Sequence, residues 1–170
     1  MRSVSMITRF LAIALIATLA TAGECDDDDD PTGPGIGGEF DATLTGAAER
    51  PDPVTTDASG SATIDVDEDG GSFEVEVEDI QDVTFAHIHI GDANTAGPIS
   101  VFLFDAGGNP VDFTDRETLA TGTFDETDID PASGVDTMEE LIEAMENGNA
   151  YVNVHTTANP LGEIRGQLSD

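Results

Sequence analysis

The chain has no lysine, and its five arginines stand far apart at positions 2, 9, 50, 116 and 165, against 36 Asp and Glu, for a formal charge of −31. This excludes nucleic acid as a partner, because neutralising phosphates takes clustered Lys and Arg. Tryptophan is absent and aromatics make up 5% of the 170 residues, so one modest core and a single domain are expected. Cysteine occurs once, at Cys25, which rules out an internal disulfide. The longest apolar run, Phe10 to Ala22, is interrupted only by Thr18 and Thr21 and falls short of the ~20 residues of a membrane-spanning helix.

That apolar run follows Arg2 and Arg9, and the basic-then-apolar order predicts a secretory signal over residues 1–24. Thr21-Ala22-Gly23-Glu24-Cys25 is similar to the cleavage region of a bacterial lipoprotein, with Glu24 where such regions carry a small residue. Cys25 is therefore the candidate lipid-attachment site and the single route to a membrane. Residues 25–38 follow as an acidic Pro/Gly linker. Five consecutive Asp next to Pro and Gly, with Ile36 the one large apolar side chain, cannot bury enough surface to offset the entropy of ordering. Contiguous Asp also lacks the alternating ligand spacing of a calcium loop. The expected location is secreted or extracytoplasmic.

From Glu39 the pattern alternates with period two. Phe40, Ala42 and Leu44 form one such run, Ala62, Ile64 and Val66 a second, and Phe73, Val75 and Val77 a third. Glu68-Asp69-Gly70-Gly71 between the last two marks a hairpin. Further runs at Val83–Ile90, Ile99–Phe104, Leu119–Phe124, Tyr151–His155 and Glu163–Leu168 bring the count to about eight short strands. The spacing predicts an all-β sandwich or barrel over residues 39–170. One segment departs from it: Met138, Leu141, Ile142 and Met145 share a helical face, which predicts one helix at about 137–147, with Asp136 as cap and Gly148 as stop.

The chain's three histidines carry its chemistry. His87 and His89 in Ala86-His87-Ile88-His89-Ile90 point to one face of a strand with Cα atoms about 7 Å apart, close enough for two imidazoles to converge on an ion. His155 ends the Tyr151–His155 run on the side opposite Val152 and Val154. If these strands are neighbours, three neutral imidazoles form a site suited to copper or zinc. The competing expectation is a hydrogen-bonded corner without metal. Glu163 and Arg165 share a strand face, where they either orient each other or tie down a loop.

Phe40 to Gly46 (Phe-x-Ala-x-Leu-x-Gly), then Ala86-His-Ile-His-Ile-Gly91, Gly97-Pro98, Tyr151-Val-Asn-Val-His-Thr156 and Gly162-Glu-Ile-Arg-Gly166 together resemble the CHRD domain, found in chordin and in many secreted microbial proteins. The resemblance spans about residues 39–170. Chordin-type copies carry Cys directly after the Arg; Gly166 stands here, so no disulfide role is implied. A second resemblance is to the copper–zinc superoxide dismutases, whose Phe-His-Val-His strand leads into Gly-Asp-Asn-Thr-Ala-Gly, as Ala86–Ile90 here leads into Gly91-Asp-Ala-Asn-Thr-Ala-Gly97. It implies an immunoglobulin-like β-barrel, copper at His87, His89 and His155, and an anion-guiding Arg165. The bridging and zinc-site histidines have no counterparts, so it implies one mononuclear site.

Two functions follow as expectations. The leading one is a secreted or surface-displayed noncatalytic binding or structural module that holds one metal ion and meets an extracellular or envelope protein. The alternative is a copper-dependent redox enzyme with a three-His site. The charge disfavours the alternative, because a strongly negative field repels superoxide.

Overall fold

The computed structural model describes residues 36–170. The expected signal at 1–24, Cys25 and the linker up to residue 35 lie outside the described residues. Nine strands follow: β1 Gly38–Thr45, β2 Ser59–Asp67, β3 Gly70–Glu78, β4 Ile80–Ile90, β5 Ile99–Asp105, β6 Val111–Phe113, β7 Glu117–Phe124, β8 Ala150–Thr156 and β9 Ile164–Gln167, with one helix, α1 Met138–Glu146, between β7 and β8. Each of the eight alternating runs coincides with a strand, the last of them shortened to Ile164–Gln167 so that Glu163 lies just before it. The ninth, β6, is three residues long, too short to show a period of two.

The strands pair antiparallel in the order β5-β4-β8-β9-β1-β2-β3-β7, with β6 attached to β4. The two ends of this path, β5 and β7, come into contact without pairing, so the fold is a nearly closed eight-strand barrel. The β2–β3 hairpin pairs Asp67 with Gly70, as its turn residues predict. The Asp67 carboxylate accepts from the amides of Asp69 and Gly70, closing the turn. Gly71 serves close packing instead: a Cβ there would sit 2.5 Å from the Phe124 ring.

Alternation places Phe40, Ala42 and Leu44 of β1, Ala62, Ile64 and Val66 of β2, and Ala86 and Ile88 of β4 in one core. α1 buries Met138, Leu141, Ile142 and Met145 and leaves its four glutamates exposed. It touches β2 and β8, three positions apart in the sheet order, and so packs across the barrel. Its cap is Thr137, not Asp136. Thr137 keeps an extended backbone and its hydroxyl accepts from the Glu140 amide, while the Glu140 carboxylate reaches back to the Asp136 amide. At the far end Gly148 (φ 66°) donates to the Met145 carbonyl and Asn149 to that of Ala144, a Schellman stop.

β8 sets the stage for the site. Every residue from Ala150 to Thr156 is buried. Val152 and Val154 face the core beside Ile88 and Ala86, while Tyr151, Asn153 and His155 line the outer face and are covered by loops. Ile88→Ala, in the middle of this packing, is expected to cost about 2–5 kcal/mol. Phe102→Ala, at a half-exposed ring on the outer face, should cost under about 1 kcal/mol. Urea unfolding midpoints of the two variants compare them directly.

Candidate metal centre

Register brings the three histidines together. β4 pairs with β8 so that Phe85 opposes His155, His87 opposes Asn153 and His89 opposes Tyr151, all on the outer face. The rings of His87 and His155 are 4.8 Å apart, those of His87 and His89 5.5 Å, and those of His89 and His155 5.9 Å. One ligand atom from each lies within 4.8 Å of the others, and all three side chains are buried.

Hydrogen bonds select the tautomers. His89 Nδ1 lies 2.9 Å from the Gly97 carbonyl and His155 Nδ1 lies 3.1 Å from the Pro160 carbonyl. A carbonyl can only accept, so both Nδ1 atoms carry the proton and both Nε2 atoms present a lone pair. His155 Nε2 faces His87 Nδ1 at 3.0 Å. Two nitrogens bound to one tetrahedral ion lie about 3.4 Å apart, so this spacing needs little adjustment. Buried Nε2 of His87, Nε2 of His89 and Oδ1 of Asn153 have no hydrogen-bond partner. His89 Nε2 and Asn153 Oδ1 thus bear lone pairs; on His87 the lone pair lies on Nε2 while Nδ1 donates to His155, and it moves to Nδ1 when that nitrogen faces an ion. A buried pocket of unpaired acceptors suits a cation, and the carbonyl bonds to Nδ1 are the usual support for imidazole ligands. The residues present therefore fit a metal ion: the cluster could hold one.

Burial keeps the imidazoles neutral. It pushes His87 down to about 3, helped by the other two rings, and His89 down to about 4 despite the opposing pull of the Gly97 carbonyl. His155 is lowered by burial too. Neutral imidazole is the form a metal takes.

Arg165 and Glu163 tie down different loops and do not orient each other. Arg165 is 1% exposed and donates to the backbone carbonyls of Asp92 and Thr95 at 2.7 and 3.0 Å, which holds the Gly91–Pro98 loop over the site. Its guanidinium carbon stands 3.4 Å from the Tyr151 ring centre, and Tyr151 stacks on His89 from the opposite neighbouring strand at 4.9 Å. Glu163 precedes β9 and accepts from the hydroxyls of Thr56 and Thr156 and the amide of Asn159. Burial opposes its ionisation, but those three bonds together hold it below the usual carboxylate range. Cys25 lies outside the described residues.

Three participants escaped the sequence reading. Tyr151 and Asn153 alternate with Val152 and Val154 on β8 and share His155's face, a pattern that could have flagged them. Glu49, one of many acids, sits in a turn beyond β1 with no periodic signal. It is 3% exposed, and burial raises it to about 7 against the pull of Arg165, Arg50 and Asn153.

The family model of the CHRD domain matches residues 40–168. Neither a curated protein nor a solved structure matches the chain.

Because native His89 stays neutral down to about 4 while the unfolded chain protonates near 6.5, the unfolded state binds more protons between these values. Stability of the wild type relative to His89→Asn should therefore rise with pH across that window, by as much as about 3 kcal/mol, and level off above it. Urea unfolding at several pH values measures the difference; a flat difference contradicts a buried neutral ring.

Proposed function

The chain belongs to the CHRD domain family, and we propose that it is an extracytoplasmic, noncatalytic module that holds one copper or zinc ion through His87, His89 and His155. One observation carries this reading: two backbone carbonyls fix the protons of His89 and His155 on Nδ1, which turns the Nε2 lone pair of each ring into the buried space they share with His87. Imidazole sets favour late first-row divalent ions, with copper bound more tightly than zinc. The ion would supply a positive centre that draws the three strand positions together. This chain's residues orient the rings and exclude water.

Binding is favoured over redox turnover of an anion by the state of Arg165. A guidance role needs an open guanidinium, and here both terminal nitrogens are engaged with carbonyls beneath a covering loop. The net charge of −31 acts in the same direction. Location outside the cytoplasm rests on the basic-then-apolar leader at 1–24, and attachment to a lipid surface on Cys25.

Titration of the purified domain with copper and with zinc should give one ion per chain, and single His87→Ala, His89→Ala and His155→Ala variants should each weaken binding at least tenfold. Binding that survives all three substitutions would overturn the proposal, as would superoxide turnover by the loaded protein, which would favour the enzyme. Mass spectrometry of the mature protein should find a chain beginning at Cys25 with the mass of an acyl modification; an unmodified N-terminus removes the anchor.

A further inference from the structure

Glu49 is a buried carboxyl beside Asn153, with one of its two oxygens, Oε1, left without a partner. It shares with the Asn153 amide the space left by Gly162, where a Cβ would sit 2.5 Å from Glu49 Oε1 and 2.6 Å from Asn153 Nδ2. Asn153 in turn stands opposite His87 on one side and Arg165 on the other. The buried Arg165 cation is met by carbonyls rather than by a carboxylate; among the described residues the only ion pair is Arg116 with Glu76, at an exposed position. A divalent ion entering the histidines would add two more positive charges near a buried guanidinium that no carboxylate pairs directly, a costly arrangement at low dielectric. Glu163 cannot respond, because it already holds its negative charge among three donors.

We propose that Glu49 is the counter-charge of the metal centre: its carboxyl gives up one proton as one divalent ion enters, so that uptake exchanges a proton for a cation. The inference rests on the metal reading above. No covalent or redox step is involved; the carboxyl O–H ionises, the electron pair stays on the oxygen and the proton passes to solvent. A cavity of about 250 Å³ lined by Glu49, Pro160 and Gly162 offers it a path. The groups facing Glu49 agree with this. Arg50 from its own turn, Arg165 from β9 and the Asn153 amide from β8 favour the ionised form, and Asp52 lines the same cavity. Burial outweighs them while no ion is present, and keeps the carboxyl protonated up to about 7. An added cation reverses that balance.

Calorimetric titration with zinc at about pH 6, in buffers of different ionisation enthalpy, counts protons released per ion. Wild type should release close to one, and its affinity should rise about tenfold per pH unit below neutrality. Glu49→Gln should release nearly none and show a flat profile, while Glu49→Asp, which keeps a carboxyl, should retain the release. Equal proton counts and slopes in wild type and Glu49→Gln overturn the role of Glu49 and leave the metal reading standing; if Glu49→Gln fails to fold, wild type that binds zinc at about pH 6 without releasing a proton does the same. Zinc that does not bind, or binds equally well to His87→Ala, removes the metal reading and this inference together.

Discussion

Two hydrogen bonds from imidazole to backbone govern the site. The Gly97 and Pro160 carbonyls each hold an Nδ1 proton, and so decide which edge of His89 and of His155 is left bare. Both carbonyls belong to loops rather than strands. The barrel supplies the spacing of the three rings, and the loops supply their chemistry. Neither would suffice alone, because a neutral imidazole with a free choice of tautomer could satisfy itself with water or a neighbour.

The loops are held in turn by two charged side chains of the C-terminal segment. Arg165 fastens the loop that carries Gly97, and Glu163 draws Thr56 and Asn159 toward β8. Gly97 cannot be exchanged for a larger residue without displacing that loop, since a Cβ there would lie 1.6 Å from the Ile90 carbonyl oxygen. The Gly-Glu-Ile-Arg segment near the C-terminus thus works as a clasp on the roof of the histidine pocket. That role requires no direct contact with a ligand.

Much of this was legible in the sequence because period-two alternation reports burial directly. All eight alternating runs are strands, the helix falls where its apolar face places it, and the histidines, once assigned to strands, had only to be adjacent. Other features could not be read. β6 is too short to alternate, the helix cap moved one residue because Thr137 rather than Asp136 kept an extended backbone, and Glu49 acquires its character from burial in a turn. Strand patterns describe what faces the core. What covers the other face depends on loops, and on β8 that covering turns an outward face into a second interior.

The gap between β5 and β7 has a cost beyond the fold itself. A sheet that stops short of closure keeps two strand margins with unspent amide and carbonyl groups, and such margins invite a second molecule to add on. Here every molecule carries the same large negative charge, so approaching copies repel one another before their backbones can meet. That protection is electrostatic and thins as dissolved ions accumulate, since at physiological ionic strength it reaches only about 8 Å. Solubility in this domain is thus a property of the medium as much as of the polypeptide.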